Sequence, residues 1–65
     1  MSNYEVLRYL MYQNNMRKAD VIRATGVTRP VLTDWEKGRH EPSLKTMKRL
    51  ADYFGIEVTE FLKGE

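Results

Sequence analysis

Hydrophobic residues recur at helical spacing in five short segments of the chain, and no segment has the alternation of a half-buried strand. In the first segment, Leu7, Leu10 and Met11 mark one buried face of a helix that Ser2 or Asn3 can cap. Short polar or glycine-containing stretches separate the segments, which predicts an all-α fold, a compact five-helix bundle in a single domain over residues 1–65. The predicted helices cover about residues 3–13, 18–25, 29–37, 44–54 and 58–62.

Glycine residues mark the boundaries of the second and third helices. Gly26 allows the left-handed backbone that ends a helix sharply, and Val27 is expected to fill the space between the two helices. Thr28 is a suitable N-cap for the third helix, and Gly38 ends it. Two short helices joined by a tight turn that contains glycine are typical of a helix-turn-helix.

The helical period also separates inward-facing from outward-facing positions. On the third helix, Leu32 and Trp35 are predicted to point inward. On the second helix, the predicted inner face consists of Val21, Ile22 and Ala24. The apolar stripe of the fourth helix consists of Leu44, Met47, Leu50, Ala51 and Phe54. The outer side of the third helix carries Arg29, Pro30, Thr33, Asp34 and Lys37.

The composition of the 65 residues narrows the range of functions. The chain has no cysteine and one histidine, His40, so we expect no disulfide, no metal site and no other cofactor. It has neither an apolar run near the ~18 residues of a membrane span nor a secretory h-region, which favours a cytoplasmic protein without membrane contact. With no evident small-molecule ligand, glycine-rich phosphate loop or paired carboxylates, we expect no enzymatic activity.

Charge is distributed unevenly, although the net charge is only +2. Residues 17–49 hold nine Lys and Arg against four Asp and Glu, whereas the rest of the chain holds two against five. This distribution suits either a face turned toward a polyanion or an ordinary solvated surface. Arg17 and Lys18 stand at the start of the second helix, where a hydroxyl or carboxylate cap is preferred. Either they bind a phosphate at this helix terminus, or they are an unfavourable helix start that the fold tolerates.

Several short motifs follow one another in order from Leu7 to Leu62. They are Leu7-x-x-Leu10, Met16, Thr25-Gly26-Val27-Thr28, Leu32-x-x-Trp35-Glu36-x-Gly38, Pro42-Ser43-Leu44, Leu50-Ala51 and Phe54-Gly55-Ile56. This ordered set resembles the lambda-repressor/Cro-like (XRE-type) helix-turn-helix DNA-binding family. The resemblance implies a bacterial or phage-type, nucleoid-associated transcriptional regulator, either a small repressor or the DNA-binding part of a longer one. Its third helix would lie in the major groove of double-stranded DNA. It also implies a homodimer on a roughly palindromic operator with half-sites ~34 Å apart.

The resemblance places base-reading residues on the outer side of the third helix, at Arg29, Pro30, Thr33 and Asp34. Arg29 suits guanine because a guanidinium can bind O6 and N7 together. Pro30 offers only apolar contact, for example with a thymine methyl group. Asp34 can only accept hydrogen bonds, so it either reads a cytosine amino group or orients Arg29 or Arg39.

Phosphate contacts in the family come from the start of the second helix and from the loop after the third. The residues matched to them here are Arg17, Lys18, Thr28, Lys37, Arg39, His40, Ser43 and Lys45. The chain departs from the family pattern where Arg17-Lys18 replaces the usual Thr-Gln. Met11 also replaces an arginine that often pairs with the glutamate after the tryptophan, so Glu36 needs another partner or exposure to solvent.

Two classes of function remain open from the sequence. The first is sequence-specific DNA binding by a transcriptional regulator. The second is a protein-interaction module on the same fold, such as an antitoxin-like or anti-repressor component. Asp34 and the scarcity of donors on the outer face of the third helix would suit the second class.

Overall fold

In the computed structural model, which describes residues 2–63, the chain folds into five α-helices. They are α1 (Tyr4–Gln13), α2 (Lys18–Thr25), α3 (Arg29–Glu36), α4 (Leu44–Phe54) and α5 (Thr59–Leu62). Since these residues contain no strand, the predicted all-α class is confirmed. α1 and α5 begin one residue later than predicted and α3 ends one residue earlier, while residues 1, 64 and 65 lie outside the described part. No helix within it combines the length and apolar character needed to span a bilayer.

Local sequence explains where α1 and α4 begin. The Asn3 side chain accepts a hydrogen bond from the Glu5 N–H at 2.9 Å, and Ser43 Oγ accepts one from the Thr46 N–H at 3.1 Å. Both bonds satisfy backbone donors that the first turn of a helix leaves free. Between α1 and α2, Asn15 adopts the left-handed conformation with a φ of +55°, which asparagine tolerates better than most residues.

The start of α2 is better supported than its basic residues suggest. Arg17 is the N-cap and contributes no side-chain bond to the helix, but Asp20 Oδ2 accepts a hydrogen bond from the Arg17 N–H at 2.8 Å. Asp20 also places negative charge in the first turn, where the helix dipole favours it. The cost of two basic residues at this terminus is therefore partly offset within the helix.

The core contains side chains from all five helices, among them the buried Trp35 of α3. The Trp35 ring lies edge-to-face between Tyr4 and Phe61, with ring centroids 5.3 Å and 5.5 Å away. The Asn3 N–H also donates a hydrogen bond to the Phe61 carbonyl at 2.7 Å, which links the segment before α1 to α5. α3 is thus held in place by elements from both ends of the chain.

Two predicted inner positions are exposed, and one buried aromatic was not predicted. The inner stripe of α2 runs through Lys18, Val21, Ile22 and Thr25, which leaves Ala24 exposed at its edge. Leu44 is 56% exposed because the first turn of α4 lies at the surface, outside the packed stripe that begins at Met47. Tyr4 is buried, although the apolar period of α1 did not single it out.

Candidate nucleic-acid interface

α2 and α3 are joined by a turn that depends on Gly26. Its φ of +79° lies in the left-handed region, and its N–H donates to the Ile22 carbonyl at 2.8 Å, which closes α2. Val27 is buried between the helices, as predicted, and its N–H donates to Thr25 Oγ1 at 3.2 Å. The buried Val27 side chain and these hydrogen bonds therefore fix the turn, so α3 starts at a defined position relative to α2.

Thr28 occupies the N-cap position of α3, but its side chain makes no cap hydrogen bond. Pro30 lies in the first turn, where the missing N–H has no helical partner to lose. Both side chains are exposed. The Thr28 hydroxyl therefore remains available to a ligand such as a phosphate.

The two sides of α3 differ as the sequence predicted. Leu32 and Trp35 are buried, which confirms the inward face. Of the candidate base-reading residues on the other side, Arg29 and Pro30 are exposed, whereas Thr33 and Asp34 are half-buried. Within residues 2–63, Arg29 forms no ion pair or side-chain hydrogen bond. Its guanidinium donors are therefore open to a partner outside the chain.

Asp34 organises the loop that follows α3. Its backbone carbonyl accepts hydrogen bonds from the N–H groups of Arg39 at 2.8 Å and His40 at 3.4 Å. Its carboxylate Oδ1 lies 3.6 Å from Arg39 Nη1. Of the roles that the sequence left open for Asp34, orienting Arg39 is the one that the structure of the free chain contains.

The carboxyl end of α3 is held by two cations from other helices. Lys18 Nζ of α2 lies 2.5 Å from Glu36 Oε1, and Arg8 Nη2 of α1 lies 3.6 Å from Glu36 Oε2. The Arg8 guanidinium also stacks over the Tyr4 ring, 5.2 Å from its centroid, in cation–π geometry. Glu36 therefore joins α1, α2 and α3 without an arginine at position 11.

The hydrogen bond from Lys18 lowers the pKa of the Glu36 carboxyl below its usual value, with further lowering from the charges of Lys18 and Arg8. Partial burial acts in the opposite direction, because it disfavours the charged form. Burial, reinforced by the Glu36 charge, raises the pKa of the Tyr4 phenol. Near neutral pH the network therefore contains a charged Glu36 and a neutral Tyr4.

The residues matched to phosphate contacts lie in separate places. His40 and Ser43 line one surface groove together with Pro30 and Asp34, so candidate phosphate-contacting and base-reading residues meet there. Arg17 lines a different groove at the start of α2. Lys18 is half-buried against Glu36, and the Ser43 hydroxyl caps α4. The exposed members of the set are Arg17, Thr28, Lys37, Arg39, His40, Ser43 and Lys45.

Sequence reasoning missed Arg8 as a partner of Glu36. Arg8 precedes Met11 by three residues, which is nearly one helical turn, so it lies on the same side of α1 as the position where the family often has its arginine. That spacing could have identified Arg8 before the structure was known. The pairing of Lys18 with Glu36 had no such signal, because it depends on how α2 and α3 pack.

Comparisons with known proteins give one consistent result. A family model described as helix-turn-helix, HTH_3, matches residues 7–61. The chain is similar to the HTH-type transcriptional regulator DdrOP3 of Deinococcus deserti, with 40% identity over 92% of this chain and 46% of that protein. It is also similar to the uncharacterized HTH-type transcriptional regulator MJ0272 of Methanocaldococcus jannaschii, with 32% identity over 83% of this chain and 82% of that protein.

A third similar protein is the cryptic phage CTXphi transcriptional repressor RstR of Vibrio cholerae, with 27% identity over 86% of this chain and 50% of that protein. The chain therefore spans about half the length of DdrOP3 and of RstR, but most of MJ0272. No solved structure is a significant match.

Proposed function

The chain belongs to the helix-turn-helix family HTH_3, and on that premise we propose that it is a sequence-specific DNA-binding transcriptional regulator. In this proposal α3 is the recognition helix and lies in the major groove of double-stranded DNA. The similar proteins DdrOP3 and MJ0272 are named HTH-type transcriptional regulators, which supports the same class of function. No catalytic step is part of the proposal.

The observation that carries the proposal is the contrast between the two sides of α3. One side is fixed in the core by Leu32 and Trp35, while Arg29 on the other side is exposed with its donors unused. A reading helix needs both properties, because base contacts require donors at a fixed position. We therefore assign guanine recognition to Arg29 and closer packing against the groove to Pro30, Thr33 and Asp34.

The phosphate contacts in this proposal come from the elements that precede and follow α3 in the chain. Arg17 would contact one strand from the start of α2, and Lys18 would reach the same strand by releasing Glu36, with which it pairs in the free chain. Lys37, Arg39, His40, Ser43 and Lys45 would contact the backbone from the loop and the first turn of α4. Thr28 would contribute its free hydroxyl. Such contacts position the protein on the duplex and carry no sequence information themselves.

We also propose a roughly palindromic operator on which two copies of the chain pair, with only weak association in the absence of DNA. Repression is the outcome we expect where the operator overlaps a promoter, because the bound protein then covers DNA that the polymerase needs. The similar protein RstR is named a transcriptional repressor. A regulator of this kind acts where the DNA is, on the nucleoid in the cytoplasm. Sedimentation of the free protein as a tight dimer would contradict the pairing scheme.

Selection of bound sequences from a random DNA pool, followed by binding isotherms over a range of salt concentrations, tests the proposal. We expect one enriched motif with two related half-sites. We also expect log affinity to fall linearly with log salt, with a slope of about −0.9 for each phosphate contact. If no DNA fragment is retarded even at low salt, the DNA-binding function is wrong and the protein-interaction module becomes the better explanation.

A further inference from the structure

The exposed side of α4 carries a row of basic residues, of which only Lys45 has a role in the scheme above. Lys45, Lys48 and Arg49 lie at positions i, i+3 and i+4 of the helix, and therefore on one side of it. All three are exposed. They line one surface groove together with Leu44 and Asp52. This groove shares no residue with the groove that contains Pro30 and Asp34.

These three cations form no ion pair within residues 2–63, a property that they share there with Arg17, Arg29 and Lys37. Within the described part of the chain, Arg8, Lys18, Arg23, Arg39 and Lys63 each form an ion pair. Lys45, Lys48 and Arg49 form none there, even though Asp52 lines the same groove. Like charges three and four positions apart on a helix repel each other. A polyanion bound along α4 would remove that repulsion.

The direction of the side chains connects this row to the candidate interface. Cα–Cβ bonds tilt toward the amino end of their helix, and for Lys48 and Arg49 this is the end that carries Lys45. Arg49 Nη1 also lies beside the turn between α2 and α3, 3.6 Å from the position that a Cβ on Gly26 would occupy. The basic row therefore extends from the first turn of α4 to the turn that precedes Thr28.

We propose that Lys48 and Arg49 bind the DNA backbone, so that the phosphate-binding surface continues from the α3–α4 loop along α4 to the turn at Gly26. The proposal rests on the DNA-binding function proposed above, and its ligand is the phosphodiester backbone that flanks the bases read by α3. The two residues neutralise phosphates and add affinity for every duplex. They do not contribute to base preference.

The test uses the variants Lys48→Gln and Arg49→Gln, alone and together, on the selected operator and on unrelated duplex. Each single variant should reduce the salt slope by about 0.9, and the double variant by about 1.8. When the salt concentration rises from about 50 to about 200 mM, the affinity of both proteins falls. The fold-loss should be about 12 times smaller for the double variant than for the wild-type protein. The motif enriched from a random pool should stay the same for all three variants.

Lys63→Gln is the matched control, because it removes one positive charge at the end of α5, where Lys63 pairs with Glu60 at 3.2 Å. It should leave the salt slope unchanged, and circular dichroism should show that every variant is folded. If Lys48→Gln and Arg49→Gln bind the operator normally and show the same salt slope as the wild-type protein, this inference is overturned and the proposed function stays intact. An equal change in Lys63→Gln overturns it as well, because the effect would then come from net charge. Absence of DNA binding by the wild-type protein overturns both.

Discussion

The two ends of α3 are held in very different ways. At the carboxyl end, Trp35 packs between two aromatic rings, and Glu36 has a cation beside each carboxylate oxygen. At the amino end, Thr28 and Arg29 are exposed and make no side-chain bond with the described residues. The carboxyl end of α3 therefore anchors the helix in the fold, and Trp35 is the main anchor. The amino end keeps the donors of Arg29 free for the proposed reading of DNA, at a position that the anchored end fixes.

The largest expected effect comes from removing the anchor. Trp35→Ala should lower the free energy of unfolding by about 3–5 kcal/mol, because it leaves a cavity among the rings of Tyr4 and Phe61. A domain of this size has little stability in reserve, so the variant should be largely unfolded. Urea denaturation followed by circular dichroism measures the change. Tyr12→Ala, at a side chain that is 84% exposed, is the control and should change stability by less than about 0.5 kcal/mol.

The next effect comes from the free end of α3. Arg29→Ala should cost about 1–3 kcal/mol of binding to the operator and relax the preference at one base position. Its stability should stay within about 0.5 kcal/mol of wild type, because the Arg29 side chain is exposed and forms no ion pair within residues 2–63. Isotherms and repeated selection on random DNA measure these two effects. Unchanged base preference would contradict the placement of α3, and a clear loss of stability would remove the contrast between its ends.

A smaller effect is expected at Glu36. Glu36→Gln should reduce the free energy of unfolding by about 0.5–1 kcal/mol, because the amide cannot form ion pairs with Lys18 and Arg8 and the pairs are only partly buried. Glu41→Gln is the matched control, since Glu41 is exposed and forms no ion pair within residues 2–63. Chemical denaturation at low salt compares the two variants. If both behave alike, Glu36 does not brace α3.

The smallest effect is a dependence on pH at the same carboxyl. Because its folded pKa is lowered, chiefly by the hydrogen bond from Lys18, Glu36 contributes stability above its unfolded pKa of about 4.3. That contribution is lost as the pH falls through the lower folded pKa. The difference in unfolding free energy between wild type and Glu36→Gln should be constant above about pH 5. Below that pH it should shrink toward zero, because Glu36 becomes protonated. A difference that widens on acidification would contradict the sign of the shift.

Much of the fold could be predicted because its signals are local. Ser43 and Gly26 act within their own turns through a side-chain cap and a left-handed backbone, so the helix boundaries they mark are set by neighbouring residues. Leu32 and Trp35 face inward because their spacing matches the helical period. Ala24 and Leu44 were placed wrongly because both fit the apolar pattern, and only the packing of the neighbouring helices decides which edge of a helix is covered.

For the candidate site, the sequence by itself determined which residues share the outer side of α3 and identified Arg29 as its strongest donor. It also limited Asp34 to accepting hydrogen bonds, since a carboxylate has no donor. Only the tertiary structure decided that Lys18 and Arg8 meet at Glu36, and that Arg49 reaches the turn at Gly26. The physical reason is that spacing within one helix follows from its period, whereas a contact between helices depends on how they pack across the shared core.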